Sequence, residues 1–310
     1  MREALQGLHR AAEMDSSLKE ARVRLANGYL VQAYWGYVRA DIAAEQARRQ
    51  IAILTESPEA SHAFAQSLRP AMGWIQFSCD RDLPAALASF AAISPEDYHP
   101  AAFRYRCRFH LGLGQAARAI DQLRFAMEAD PYAPTSLATL AWAYFMAGDT
   151  AAALTQIEAA LGHFPDHPLV QLFSARLLAG AGSPGDALKE RAVHLARRLV
   201  EAHPYIDAAH TALAYACARQ GNSQEARAIL DRQVLLSRER FVMRSIHAPV
   251  LVALGDLDAA VEELSLAEKL RCPWFFELLR DPRLLALHGK PEFQRLKAIA
   301  AKMESSLPAA

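Results

Sequence analysis

The sequence has few of the features that mark metal sites, disulfide frameworks or nucleic-acid surfaces. Only four of its 310 residues are cysteine, and they lie far apart, without a Cys-x-x-Cys pair or a histidine at ligand spacing. Basic and acidic side chains number 34 each, so the formal net charge is zero. Nucleic-acid-binding domains carry a basic excess. We therefore predict reduced, buried cysteines and no nucleic-acid binding by this segment. The cysteines are Cys79, Cys107, Cys217 and Cys272.

Long apolar runs and catalytic motifs are missing as well. No stretch reaches the roughly 20 apolar residues that span a bilayer, and Met1 is not followed by a signal-like apolar segment. The chain has no glycine-rich phosphate loop, no Gly-x-Ser-x-Gly elbow and no His-Glu-x-x-His motif. The nearest histidines are His194, His203 and His210, which lie on different predicted helices without a cysteine at ligand spacing. We predict a cytoplasmic, non-catalytic protein with no cofactor, metal or membrane partner.

What the sequence does contain is a repeated helical pattern, which is clearest between Pro134 and Pro165. Apolar residues at positions i, i+3, i+4 and i+7 predict a first helix with one apolar stripe. Gly148 is placed to end this helix, because glycine adopts the left-handed cap conformation without strain. Asp149 is placed to cap a second helix, on which small residues allow close helix packing. The stripe residues are Leu137, Leu140, Ala141 and Tyr144, followed by Ala153, Ile157 and Ala160.

The same order of residue types recurs before and after this unit. Each copy has apolar residues on a first helix, a glycine, and then small and large residues on a second helix. Agreement at so many fixed offsets predicts a stacked array of helix pairs. The matching residues are Phe103, Cys107, Gly114, Ala119, Leu123, Ala126 and Pro131 in the preceding copy, Leu213, Ala214, Gly221, Ala226 and Leu230 in a later copy, and Ala248, Leu251, Gly255, Ala260, Leu264 and Ala267 in another.

This pattern resembles the tetratricopeptide repeat, whose period is about 34 residues. The resemblance implies an all-α, right-handed α-solenoid of about seven helix pairs. We assign the solenoid to residues 1–272 and a cap of C-terminal helices to 273–310, within one structural unit. The first residues fit the second helix of a unit with no first helix before it. We therefore expect Met1 to begin a piece of a longer protein; the alternative is an amino-terminal capping helix.

The end of the chain departs from the repeat. Pro273-Trp274 and Asp281-Pro282-Arg283 resemble the end of the tetratricopeptide arrays that follow winged-helix domains in bacterial transcriptional regulators. Leu284 stands where those arrays have Phe, and Lys290 where they have a second Asp. The same arrays also follow some nucleotide cyclase and Ser/Thr kinase domains. The resemblance implies a sensor or protein-interaction domain of a regulator. The alternatives are the regulatory array of a cyclase or kinase, and a free-standing scaffold or adaptor.

The resemblance also implies which residues face the concave groove of the array. The groove positions of each first helix hold arginines mixed with aromatic residues. An arginine offers a planar fork of donors for carboxylates, and aromatic rings stack on planar groups. We expect the groove to bind an acidic peptide of a protein partner or a small anionic ligand. The predicted groove residues are Asn27, Leu30, Arg104, Tyr105, Arg108, Trp142, Phe145, Met146, Phe173, Arg176, Tyr215 and Arg219.

Two arginines in this set carry the sharpest hypothesis. Arg104 and Arg108 lie one helical turn apart, so they share a helix face and are predicted to anchor a ligand together. The alternative is that such arginines pair with carboxylates of neighbouring repeats.

The amino-terminal repeat carries a cluster of aromatic residues. A helix is predicted from Leu18 to about Ala40, and it includes Tyr34, Trp35 and Tyr37. These rings lie near the open end of the predicted array. We expect them to pack within their own helix pair. The alternatives are that they contact a further domain of a longer protein or form the interface of a homodimer.

Overall fold

The computed structural model describes residues 2–15, 17–56, 62–93, 100–182 and 186–305. Within these ranges the chain forms helices and no strand, which confirms the predicted all-α solenoid. Met1 and the last five residues of the predicted capping region, 306–310, lie outside the described residues.

The α-helices follow one another in antiparallel pairs. Each inner helix of a pair faces the centre of the array and each outer helix packs behind it. They are α1 (Arg2–Met14), α2 (Lys19–Tyr34), α3 (Ala40–Thr55), α4 (His62–Ile75), α5 (Leu83–Ala91), α6 (Pro100–Gly112), α7 (Ala116–Ala129), α8 (Pro134–Met146), α9 (Thr150–His163), α10 (Pro168–Ala181), α11 (Ala187–Ala202), α12 (Asp207–Gln220), α13 (Ser223–Leu236), α14 (Ala248–Ala253), α15 (Leu257–Lys269), α16 (Phe275–Leu278) and α17 (Pro291–Glu304).

The turn between α8 and α9 shows why the repeat forms. Gly148 has a φ of +85°, which a residue with a Cβ rarely adopts. The Asp149 side chain then accepts a hydrogen bond from the Ala152 backbone N–H at 2.9 Å, and so caps α9. Ala153 and Ala160 are fully buried where α9 packs against its neighbours. The helix end, the cap and the small packing residues are all as predicted.

The predicted long first helix is shorter than expected. It ends at Tyr34 and not near Ala40, because Gly36 takes a φ of +78° and turns the chain. A Cβ on Gly36 would lie 3.0 Å from the Cβ of Met243, so this turn packs closely against the far end of the array. The amino-terminal turn is therefore an internal contact.

Other contacts also join the first repeats to the last ones. The Arg81 guanidinium donates to the Glu268 carboxylate at 2.6 Å and to the Glu268 carbonyl at 2.8 Å, across 187 positions of sequence. The Trp274 indole N–H donates to the Tyr34 carbonyl at 2.9 Å, across 240 positions. The solenoid therefore curves until its two ends meet around a central space.

The region after α15 does more than cover the last repeat. Helix α17 packs along α15, as expected of a cap. Residues 273–289, which we call the inserted segment, instead enter the concave side of the array, and α16 packs against α6. As a result, every residue of α10 from Leu169 to Ala179 is buried. An inner helix of an open array would expose one face to solvent.

Among the residues that the structure describes, no helix has both the length and the apolar character needed to cross a bilayer.

Two helical glycines provide a matched test of the packing between the inserted segment and α6. A Cβ at Gly112 would lie 2.7 Å from the Phe77 ring and 3.1 Å from the Cβ of Phe276, whereas a Cβ at Gly162 would meet no atom within 4 Å. We expect Gly112→Ala to lower the free energy of unfolding by about 1–3 kcal/mol through overpacking. Gly162→Ala should raise it by roughly 0.5–1 kcal/mol through helix propensity. Urea denaturation measures both, and equal effects of the two substitutions would contradict the packing.

Candidate functional site

A buried ion pair fastens the inserted segment to the inner helices. The Arg108 Nη1 atom on α6 donates to the Glu277 carboxylate at 2.7 and 2.8 Å. The Trp142 indole N–H on α8 donates to the same carboxylate at 2.6 Å. Burial by itself lowers the pKa of Arg108, but the adjoining Glu277 carboxylate outweighs it and raises that pKa. The guanidinium therefore stays charged in the interior, and Glu277 neutralises it.

Aromatic stacking provides a second contact between the inserted segment and the inner helices. The Trp274 ring stacks on the Tyr34 ring with centroids 4.7 Å apart. The guanidiniums of Arg108 and Arg176 lie 5.1 and 5.2 Å from the centre of the Trp274 ring. The Tyr34 hydroxyl accepts a hydrogen bond from Arg108. Trp274 thus occupies the kind of aromatic and cationic cleft that the sequence predicted for a ligand.

The inserted segment is part of the core. Seven of its large apolar side chains are at least 96% buried, and Leu285 is the exposed exception. Exposing each of them would have a gross cost of roughly 1.5–3 kcal/mol, so withdrawal of the segment would expose much of the interior. The groove residues that it covers are therefore closed to other molecules. The buried apolar side chains are Trp274, Phe275, Phe276, Leu278, Leu279, Leu284 and Leu287.

Several predicted groove residues are covered in this way. Trp142, Phe173, Arg176 and Tyr215 are all buried beneath or beside the inserted segment. The Phe173 ring stacks on the Trp142 ring at 5.2 Å, and Arg283 lies 5.1 Å from the centre of the Tyr215 ring. These four side chains contact other residues of the chain. They are buried, and not exposed to a ligand in the groove as predicted.

Four other predicted groove residues contact their own or a neighbouring helix and do not line the open chamber described below. Asn27 donates to the Val23 carbonyl of its own helix at 3.0 Å. Phe145 packs on the Trp142 ring, and Met146 is partly buried against the core. The Arg219 Nε atom donates to the Ala179 carbonyl at 3.2 Å.

The structure separates the two arginines that were predicted to act together. Arg108 is 4% exposed and pairs with Glu277, so the carboxylate that it binds belongs to this chain and not to a ligand. Pairing within the chain is the alternative stated above for the groove arginines. Arg104 is half-buried, and its guanidinium lies 5.1 Å from the centre of the Tyr105 ring without an ion pair to a described residue. Arg104 is therefore the member of the pair that remains available.

One part of the concave side stays open next to Arg104. This open chamber has a volume of about 490 Å³, within the range of ligand pockets in proteins. Tyr34 and Arg108 form the wall that it shares with the inserted segment. Its lining residues are Leu30, Val31, Tyr34, Trp35, Tyr37, Trp74, Arg104, Tyr105, Arg108, Thr135, His167, Pro168, Leu169, His203 and Ile206.

The charges around the open chamber favour an anion. Its lining includes Arg104, His167 and His203 but no acidic side chain among the described residues. The amino-terminal ends of α8, α10 and α12 also border it, and none of these helices has a side-chain cap. The paired outer helices α9, α11 and α13 are capped by Asp or Asn. Helix amino termini carry a partial positive charge and unpaired N–H groups, which favour anions.

Polar atoms in the chamber wall are incompletely satisfied by the described residues. Tyr105 is 5% exposed, its ring stacks on Trp74 at 5.7 Å, and the Arg104 side chain is a polar neighbour of its buried hydroxyl. Burial raises the pKa of Tyr105, and the neighbouring Arg104 charge opposes that rise. The His167 Nδ1 atom is buried without a hydrogen-bond partner among the described residues, and burial lowers the pKa of His167. A buried polar group without a hydrogen bond raises the free energy of the folded protein, and a ligand that supplies the missing hydrogen bond removes that cost.

Part of this chamber was not predicted from the sequence. No role was assigned to His167, and His203 was named only among the nearest histidines, although each lies in a loop that leads into an inner helix. Tyr34, Trp35 and Tyr37 were assigned to an open end of the array, whereas all three line the chamber.

Within the described ranges, no three His, Cys, Asp or Glu side chains come together as metal ligands would. Cys107, Cys217 and Cys272 are buried, and Cys79 is partly buried.

The buried ion pair yields a double-mutant prediction. Glu277→Gln leaves the Arg108 charge uncompensated, and we expect it to lower the free energy of unfolding by about 3–5 kcal/mol. The double variant Arg108→Met/Glu277→Gln removes the charge as well, so it should recover much of that loss. The control is Glu158→Gln, which breaks an exposed pair with Arg191 and should cost no more than about 1 kcal/mol. Urea denaturation of these four proteins and of the single variant Arg108→Met measures the coupling, and losses of the two single variants that add up to the loss of the double variant would contradict it.

Comparison with known proteins agrees with this architecture. The sequence profile of the tetratricopeptide repeat matches residues 110–177, and no curated protein matches the chain. A tetratricopeptide repeat protein from Parabacteroides merdae ATCC 43184 aligns with a TM-score of 0.51 and 13% identity, covering 91% of this chain and 98% of that protein. Yeast Tom70 aligns with a TM-score of 0.50 and 15% identity over 99% of this chain, which spans 62% of the Tom70 chain. At these identities the alignments show the fold alone: the chain is folded as a tetratricopeptide-type α-solenoid.

Proposed function

We propose that the chain is a non-catalytic interaction array that takes an acidic segment of a partner protein into the open chamber. The observation that carries this proposal is the combination of Arg104, uncapped helix amino termini and aromatic walls around 490 Å³ of open space. The tetratricopeptide-type fold supports a protein partner, since stacked helix pairs offer extended concave surfaces for other proteins.

The chamber suits a short segment with a carboxylate and an apolar or aromatic neighbour. Arg104 offers a planar pair of donors to the carboxylate. The rings of Trp35, Tyr37 and Trp74 offer flat apolar faces to the neighbouring side chain. A small anionic metabolite with an aromatic group has the same chemistry as such a peptide segment. The binding experiment below distinguishes a peptide ligand from a metabolite.

We further propose that this array is the cytoplasmic regulatory part of a bacterial transcriptional regulator. The support is the resemblance of Pro273-Trp274 and Asp281-Pro282-Arg283 to the ends of such arrays. A cyclase, a kinase or a free-standing adaptor would need the same interaction chemistry, and the domain encoded upstream decides among them. A homodimer through the amino-terminal end stays a prediction that sedimentation velocity tests.

Arg104→Ala tests the chamber directly. The probes are a library of short peptides that combine Glu or Asp with an aromatic residue, and a panel of aromatic monocarboxylates. A binding probe at about one hundred times its dissociation constant should stabilise the parent by roughly 2.7 kcal/mol. Loss of a charged hydrogen bond worth about 1.5–3 kcal/mol should weaken binding at least tenfold in Arg104→Ala.

The matched control is Arg124→Ala. Arg124 lies over the Tyr144 ring at 5.8 Å, an arrangement like that of Arg104 over Tyr105, but it is exposed and outside the chamber. Its removal should leave binding unchanged. Binding of peptides but not of monocarboxylates supports a protein partner. Binding of monocarboxylates but not of peptides would instead indicate that the chamber senses a small molecule. Absence of binding by both sets, or equal weakening by both variants, would contradict the proposal.

A further inference from the structure

The interface between the inserted segment and the inner helices contains an odd number of buried charges. Arg108, Arg176, Glu277 and Asp281 are each at least 94% buried, and the Arg283 side chain is 8% exposed. Three of these groups are guanidiniums and two are carboxylates. The cluster therefore carries an excess charge of +1 in the interior of the protein.

Hydrogen bonding identifies which cation is in excess. Arg108 pairs with Glu277, and Arg283 pairs with Asp281 through its Nε and Nη2 atoms. Arg176 lies over the Trp274 ring but forms no hydrogen bond or ion pair with any residue that the structure describes. An unpaired buried charge costs several kcal/mol.

Deprotonation does not remove that cost. Burial, reinforced by the Arg283 charge, lowers the pKa of Arg176 to about 9. A guanidinium with that pKa is still protonated at neutral pH, and arginine resists deprotonation in proteins. The positive charge of Arg176 therefore persists in the folded state and needs a counter-charge.

A small cavity adjoins this guanidinium. Arg176 and Arg283 line it together with Tyr215 and Trp274. It offers about 10 Å³ to the centre of a water-sized sphere, which is room for one particle of that size. Arg283 uses only Nε and Nη2 for Asp281, so its Nη1 atom makes no hydrogen bond to the described residues. Both arginines thus border one small space, and their guanidiniums lie 5.2 Å from the Trp274 ring and 5.1 Å from the Tyr215 ring that also line it.

We propose that this cavity binds one small monovalent anion of about the size of chloride, held between Arg176 and Arg283. The anion neutralises the excess charge and accepts hydrogen bonds from guanidinium groups that have donors to spare. It would fasten the inserted segment, which carries Arg283, to α10, which carries Arg176. This site is separate from the open chamber, since neither arginine lines that chamber.

Thermal unfolding in two salts tests the proposal. The full chain is melted in sodium chloride and in sodium gluconate at the same ionic strength, because gluconate is too large for the cavity. The parent should melt a few degrees higher in chloride, with a dependence that saturates as chloride rises. Arg176→Met should melt at the same temperature in both salts, and above the parent in gluconate, because an apolar side chain of similar length replaces an unpaired charge.

Arg104→Met serves as the matched control, since it removes a cation of the open chamber and should keep the chloride effect. Crystals of the parent soaked in bromide supply a measurement that does not depend on the variant folding. An anomalous peak beside Arg176 is expected. The proposal is overturned if the parent shows no difference between the salts, if Arg176→Met retains the difference, or if bromide is found at crystal concentration only, without any effect in solution.

Discussion

The burial of the inserted segment against the inner helices is the constraint on which the rest of the structure depends. An array of helix pairs normally leaves its concave side open to solvent. Here Trp274, Phe276 and their apolar neighbours fill that side, so α10 is buried on every face. Contacts such as Arg81 with Glu268 then close the ends of the array on each other. The open chamber exists because the segment fills only part of the enclosed space.

Charge placement divides the concave side into two kinds of surface. Arg108 is neutralised by Glu277 within the chain, and this buried pair fixes the position of the segment more than it stabilises the fold. Arg104 comes one helical turn earlier and faces the open chamber without a carboxylate partner among the described residues. Two arginines with the same sequence signature therefore have different roles, and the difference arises from a segment about 170 residues away.

The closed shape also limits how a bound ligand can act. A ligand shifts a conformational equilibrium only by the difference in its affinity for the two states. Because the ends of this array contact each other, a change of curvature would have to break those contacts. The wall shared by the chamber and the inserted segment, formed by Tyr34 and Arg108, is the direct physical connection between a ligand and the interior. An effect of ligand binding is therefore expected first in that wall.

The sequence alone determined the repeating unit, because helix stripes, Gly148 and the Asp149 cap are local features with local causes. It also determined which helices face inward, and hence the groove positions of Arg104, Arg108 and Arg176. The sequence did not predict which of them are covered, since that depends on contacts between residues up to 240 positions apart. Only the tertiary structure decided that Glu277 takes Arg108, that Arg176 is left unpaired and that Arg104 faces open space. The physical reason is that a repeat pattern specifies neighbours along the solenoid, whereas closure of the array depends on the summed curvature of all its repeats.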